Sequence, residues 1–495
     1  MSKLRPYPLG HTIIDSPHSV FVNLPMMSDV IGYEENDPRV TESLRSGYPR
    51  FLTHHYIRQI ETNLLAKEDN VDVRLFLSPS LASAEQMKSF VGDRHATIQE
   101  AEIFYAIGYP IGSDACQLAG MFQQHTGTGL SSREAEDYLG IDRHPEAVYD
   151  QQDAVAKIKR YLHGIYETRS PEDIRITRGG MNAFYAGFKC LRDLQAARGR
   201  TVWVQLGWLY VDTICIISKM LPAGGRVIQL HAMDDLASIH RVFSDNADTI
   251  AGVVTETPTN PLVQSGDLDQ LRQLADDHGA ALMLDPSIVS PHNVNILKYS
   301  DLHINSLTKY APPEGDVLAG AVALNADSPF YEELNSRLDD QCEPLYCRDA
   351  ARLAHEIDGY SENVGKINSN TVEIAQFLEQ HPGVDRVHWA YAEESRTQFE
   401  KISAGLKGPG AIISFTVNKP IHQFYDPLKM PKSPSFGSRY TMLCPFMYMA
   451  HYDLVSQEQG RKHLQEVGIS PDLIRLSVGT DDAEVIKTVL DEALR

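Results

Sequence analysis

From residue 174 onward, short apolar runs alternate with amphipathic stretches. The runs are "TVWVQLG", "GRVIQLH", "TIAGVVTETP", "AALMLDP", "DLHINSLTK" and "LAGAVALN". Between two of them, "DLDQLRQLADDHG" sets Leu268, Leu271 and Leu274 on one helical face and closes on Gly279. That spacing predicts an amphipathic helix with a glycine stop. Short apolar strands alternating with helices predict a mostly parallel sheet covered on both faces. A helix from about Leu353, followed by "GPGAIISFTV" and "LIRLSVG", predicts a smaller α+β domain. Upstream, a charged helical stretch runs from about Ser131 to Glu167, and the first 120 or so residues show no usable period. The expected division is an irregular N-terminal arm (1–130), an α/β domain (131–350) and a C-terminal α+β domain (351–495).

Bulk properties narrow this picture. A chain of 495 residues is too long for one core. A net charge of −21 argues against a nucleic-acid backbone binder. The six cysteines form no Cys-x-x-Cys pair, so neither a disulfide framework nor a metal site is expected. No stretch reaches the roughly 18 apolar residues of a membrane span, and the N-terminus has no secretory apolar core. A soluble cytoplasmic protein is the expectation.

In open α/β sheets, ligands sit beyond the carboxyl ends of the strands. Asp285 follows "ALML", Asn260 follows "GVVTETPT" and Lys309 follows "HINSLT". Gly179, Gly180 and Met181 precede a helix expected near Asn182. The glycines permit close backbone approach, and amides at a helix start suit an anion. A lysine amine can condense with an aldehyde cofactor. A carboxylate can keep a pyridinium protonated, an amide can face a phenolic oxygen, and hydroxyls with backbone amides can hold a phosphate. Together these form a kit for pyridoxal 5'-phosphate (PLP). Each signal alone has a plain alternative: a cap, a turn or a solvated lysine.

The order of these motifs resembles the PLP-dependent transsulfuration family, the cystathionine γ-synthase/γ-lyase group. "SLTK" followed by "GDVLAGAV" is similar to its Ser-x-Thr-Lys segment. "ETPTNPL", "LDPSIVSP" and "LIRLSVGTDD" resemble its Glu-x-Pro-x-Asn-Pro, Asp-Asn-Thr and Arg-Leu-Ser-Val-Gly segments. "FQQHTGTGLSSREAE" and "GWLYVDT" resemble the fungal type of cystathionine γ-synthase. The resemblance covers about residues 125 to 495. It implies PLP fold type I, aspartate aminotransferase-like, with a mostly parallel central sheet. It also implies a cytoplasmic enzyme of methionine or related amino-acid biosynthesis.

Residue by residue, the resemblance implies that Lys309 carries the cofactor and then moves protons. Asp285 would pair with the pyridinium nitrogen, and Asn260 would face the phenolic oxygen. Gly180, Met181, Ser306 and Thr308 would hold the phosphate. Tyr210 would stack on the ring, Arg475 would clamp the substrate carboxylate, and Ser435 would lie near the substrate. Arg133, in "SSR", would reach a neighbouring subunit's phosphate, which implies active sites shared within a homodimer or homotetramer.

Two departures stand out. The family's Tyr-Ser-Arg reads Ser131-Ser132-Arg133 here, without its tyrosine, and "GYPRF" offers the competing pair Tyr48 and Arg50. The family's Asp-Asn-Thr reads Asp285-Pro286-Ser287. His125 and His451 lack metal-ligand spacing and read as structural. "GTGLSSREAE" is glycine-rich without a Walker lysine. The implied reaction is γ-replacement on an O-activated homoserine, with cysteine as nucleophile giving cystathionine. Alternatives are a synthase using another thiol, sulfide or a carbon nucleophile, a cystathionine β- or γ-lyase, and a non-catalytic relative.

Overall fold

The computed structural model describes residues 4–46, 52–68, 72–93 and 95–495. Tyr48 and Arg50 lie outside the described residues. Strands β1 (Val73–Ser78), β2 (Ile98–Glu100) and β3 (Tyr105–Pro110) form an antiparallel sheet in the order β1-β3-β2. Strands β4 (Ile174–Thr177), β5 (Val202–Leu206), β6 (Arg226–Leu230), β7 (Ile250–Glu256), β8 (Ala281–Asp285), β9 (Leu302–Asn305) and β10 (Gly320–Leu324) form the central sheet, in the order β4-β10-β9-β8-β7-β5-β6. Strands β11 (Val384–His388), β12 (Ile412–Val417), β13 (Met442–Pro445) and β14 (Ile474–Ser477) form an antiparallel C-terminal sheet, in the order β11-β12-β14-β13.

All six predicted strands of the central sheet are present. The five from β5 to β9 pair in parallel, and β10 runs antiparallel to both β9 and β4. The continuous apolar runs follow from burial on both faces. Side chains alternate between two cores. Trp203, Met283, Ile304 and Val322 pack under the helix Gly180–Ala197 with Phe184 and Phe188. Val204, Leu282, Leu284 and Ala321 pack with Leu268, Leu271 and Leu274 of the helix Leu268–His278. That helix ends at Gly279 in the left-handed conformation (φ 62°), as its sequence predicts. Because β4 and the parallel strands point the same way, their carboxyl ends share one edge of the sheet.

The stretch expected to be irregular is a packed layer. In β1, Phe76 points into the core beneath the helix Gly180–Ala197, while Leu75 and Leu77 join Ile57, Ile60 and Phe104 on the opposite face. The helices Leu81–Val91 and Asp114–Thr126 start on Ser80 and Ser113, whose hydroxyls accept backbone N–H bonds. The charged stretch from Ser131 breaks into two helices, Ser132–Leu139 and Ala154–Tyr166, because Gly140 takes φ 64° and stops the first. The first described residues do not stay with this layer. Val22, Leu24, Met27 and Val30 pack into the core of the C-terminal sheet, and Leu24 is tied there by Lys432 and the Tyr425 hydroxyl. No helix among the described residues is long and apolar enough to cross a membrane.

Candidate active site

A cavity of about 380 Å³ opens at the carboxyl edge of the central sheet. It brings together nearly every residue that the sequence singled out: Lys309, Asp285, Asn260, Tyr210, Gly180, Met181, Ser306, Thr308 and Arg475. A cavity of this size with a few convergent polar groups is the common form of a small-molecule site.

Asp285 ends β8, directly across the ladder from Glu256, which ends β7. Burial raises the Asp285 carboxyl to about 6, against the pull of a Ser287 hydrogen bond and the Lys309 charge. Ser287 pulls through its hydroxyl and through its backbone N–H, the N–H lying 2.8 Å from Oδ1. The hydroxyl also accepts from the Ser306 N–H at 2.7 Å. Ser287 therefore ties the turn after β8 to the turn after β9, which carries Lys309.

Lys309 lies on the short helix Leu307–Tyr310, and its Nζ stands 4.8 Å from the centre of the Phe436 ring. The helix is fixed on both sides. Thr308 exchanges two hydrogen bonds with the Ala319 backbone, at 3.0 and 3.2 Å. The Tyr310 hydroxyl donates to the Ile288 carbonyl at 2.5 Å and accepts from the Ala411 N–H at 2.9 Å, joining the two domains. At the glycine turn, a Cβ on Gly180 would lie 2.7 Å from the Ser306 Cβ, so no larger residue fits without displacing the Ser306 backbone.

Arg475 enters from β14 of the C-terminal sheet. It donates to Asn260 Oδ1 at 3.0 Å and to the Pro434 carbonyl, and its guanidinium lies 4.7 Å from the Phe446 ring and 5.2 Å from the Phe436 ring. With Oδ1 turned to Arg475, the Asn260 amide presents its NH₂ end for an acceptor. Ser435 is buried but does not line the cavity; its neighbours Pro434 and Phe436 do.

Arg133 stands apart from this cavity: it is 1% exposed and lines a separate, minute void. Its guanidinium donates to Glu146 (2.6 Å), Asp349 (2.9 Å) and the Asp316 carbonyl (2.8 Å) of its own chain. Its fork is committed to these three acceptors, so no neighbour's phosphate can share it without breaking a buried network. His451 accepts from the Trp208 indole at 3.0 Å, and His125 bonds Asp212 at 2.7 Å, in keeping with structural roles.

Sequence reasoning passed over three lining residues. Glu256 lies in the quoted "ETPTNP"; its Oε1 accepts the Tyr210 N–H at 2.6 Å, and burial holds its carboxyl well above the usual range. Arg178 directly precedes the glycine turn. Phe436 follows Ser435, where only its neighbour was weighed. The donor set fits PLP: an amine (Lys309), a carboxylate (Asp285), an amide (Asn260) and a glycine turn pressed on Ser306 line one cavity.

The family model described as "Cys/Met metabolism PLP-dependent enzyme" matches residues 172–495. An L-2-amino-4-chloropent-4-enoate dechlorinase/desaturase of Streptantibioticus cattleyicolor is 35% identical, the match covering 97% of this chain and 96% of that one. A cystathionine gamma-synthase of Neurospora crassa is 24% identical over 99% of each chain. Among solved structures, the cystathionine gamma synthase of Xanthomonas oryzae pv. oryzae in complex with cystathionine superposes with a TM-score of 0.59 at 22% identity, covering 71% of this chain and 89% of that one.

Proposed function

Because the chain belongs to the PLP-dependent enzymes of Cys/Met metabolism, we propose that it expels a substituent from the γ-carbon of an α-amino acid and adds a nucleophile there. Cysteine adding to an O-acylated homoserine, to give cystathionine, is the pair this reading favours. The observation that carries it is the shared aromatic floor: the Lys309 Nζ and the Arg475 guanidinium both lie over Phe436, at 4.8 and 5.2 Å.

PLP, when bound, supplies the electron sink for carbanions next to the amino-bearing carbon. The protein supplies the rest. Arg475 holds the substrate carboxylate, its fork aimed by Asn260 and Pro434. Lys309, within reach of the chain that extends from that carboxylate, takes the proton from Cα and then works at Cβ, so that the Cγ substituent can leave. Asp285 would hold the cofactor's ring nitrogen in its cationic form, and that charge would offset the burial that raises the carboxyl. The Glu256 carboxyl fixes the Tyr210 backbone and so places the phenol at the cavity.

A second reading, elimination with no incoming nucleophile, is favoured by one observation. Phe436 and Phe446 lie against the Arg475 guanidinium, at 5.2 and 4.7 Å, so apolar rings flank the carboxylate clamp. The relative that is 35% identical bears a dechlorinase/desaturase name, in line with it. Both readings are tested together. The PLP-loaded protein is incubated with O-acetyl- and O-succinylhomoserine, with and without cysteine, and with a γ-chlorinated unsaturated amino acid. Cystathionine formed only with both partners supports replacement. 2-Oxobutanoate or chloride released without cysteine supports elimination. Release of no γ-substituent from any of them overturns both.

A further inference from the structure

The first described residues have no role in the proposed chemistry, yet Val22 lines the cavity. Residues 20–24 thread between the two domains. On one side, the Val20 N–H donates at 3.0 Å to the carbonyl of Gly315, in the loop that follows the Lys309 helix. Gly315 takes φ 73°, and a Cβ there would overlap the Phe21 ring, so the arm leaves no room for a side chain. On the other side, the arm joins the C-terminal domain. The Leu24 N–H donates to the Lys432 carbonyl at 3.1 Å, the Lys432 N–H to Asn23 Oδ1 at 3.1 Å, and the Val22 N–H to the Ser433 hydroxyl at 3.3 Å. The Ser433 N–H in turn donates at 3.0 Å to the Leu443 carbonyl of β13, where Cys444 lies across from Arg475 of β14.

Two buried side chains hold this joint. Asn23, 1% exposed, also donates to the Tyr7 and Pro8 carbonyls, at 2.6 and 3.0 Å. Lys432, 3% exposed, donates from Nζ to the Pro25 carbonyl at 2.5 Å and the Asp426 carbonyl at 3.2 Å, and that Nζ stands 4.5 Å from the centre of the Tyr425 ring. A buried ammonium is costly unless its donors are used, and here one of them is spent on the arm. Two residues on, Pro434 supplies the carbonyl that takes an Arg475 N–H, and Phe436 supplies the ring beneath Lys309 and Arg475. Beyond them the Gly437 N–H donates to the Ser477 hydroxyl at 3.0 Å. The stretch 434–436 is therefore hung between two anchors, and the arm is one of them.

We propose that residues 20–24 are a positioning strap for the substrate clamp: Asn23 and Lys432 fix the Pro434 carbonyl, and that carbonyl aims the Arg475 fork at a carboxylate. This rests on the reading of Arg475 as the group that holds the substrate carboxylate. Neither Asn23 nor Lys432 lines the cavity, so both act through the backbone between them and Arg475.

The test uses the PLP-loaded protein and two ligands, L-2-aminobutyrate and 1-aminopropane, which differ only by the carboxylate. Each is titrated in and followed by the shift of the visible absorbance band. Asn23→Ala removes the acceptor of the Lys432 N–H. Ser433→Ala, which removes only the acceptor of the Val22 N–H, is measured beside it so that a folding failure of the first leaves a decisive variant, and thermal melts are taken of both. Arg475→Gln shows how much preference for the carboxylate the clamp itself provides. The expected result is L-2-aminobutyrate bound about 10-fold more weakly by Asn23→Ala and about 3-fold more weakly by Ser433→Ala, the scale of one buried hydrogen bond, with 1-aminopropane affinity unchanged. An unchanged ratio of the two affinities in the folded variants overturns the strap. A wild-type ratio equal to that of Arg475→Gln overturns instead the reading of Arg475 on which the strap rests.

Discussion

Replacing Asp285 by asparagine should stabilise the cofactor-free protein while removing its function. The Asp285 carboxyl is raised from 3.8 to about 6, chiefly by burial. A group raised in this way binds its proton more tightly in the folded state, so folding stability falls as pH rises from the unfolded value through the folded one. The loss is complete above about pH 6. A two-unit shift corresponds to about 3 kcal/mol as an upper figure, since 1.36 kcal/mol accompanies each unit. Asparagine has the same shape and never ionises, so it escapes this loss. The Asn variant's advantage should therefore grow by about 1.4 kcal/mol between pH 5 and pH 8. The assay is urea denaturation of the cofactor-free forms at both pH values. With PLP added the order should reverse at pH 8, because a cationic ring nitrogen favours the ionised carboxylate. An Asn variant that is less stable than wild type at pH 8, or whose advantage does not change with pH, would refute the reasoning.

Further outcomes follow from the same geometry. Lys309→Ala should lose the covalent hold on the cofactor, seen as a changed visible spectrum, and turnover should fall at least about 10³-fold, the scale of a lost nucleophile and proton carrier. Arg475→Lys should keep that spectrum but lower kcat/KM by about 10- to 100-fold, because an ammonium cannot reproduce the two-pronged grip; steady-state kinetics on the substrate identified above checks it. Tyr310→Phe removes one hydroxyl that serves both Ile288 and Ala411. It should cost about 1–3 kcal/mol in denaturant titration, since both backbone partners are buried.

Much of this site was legible because it depends on short-range sequence. Asp285, Asn260 and Lys309 each follow an apolar run, and a strand end fixes where such residues stand. Gly279 marked a helix stop in the same local way. What was not legible depends on partners far apart in the chain. Arg133 looked available for a phosphate, but its acceptors Asp316 and Asp349 lie 183 and 216 positions away. The N-terminal layer escaped notice because β2 has only three residues, none of them buried, so it shows no alternation. The direction of β10 was hidden for another reason: a fully buried strand reads the same whichever way it runs. Phe436 was missed because its role comes from two cations that meet over it, one from each domain.

The central claim is that Lys309 works at both Cα and Cβ, as γ-chemistry requires and β-elimination or racemisation does not. The most direct measurement is incubation of the PLP-loaded protein in heavy water with L-2-aminobutyrate, a saturated amino acid that has a Cγ but no leaving group on it. Proton NMR then follows each carbon. The account predicts deuterium at Cα and, more slowly, at Cβ, with both exchanges lost in Lys309→Ala. Exchange confined to Cα would contradict it.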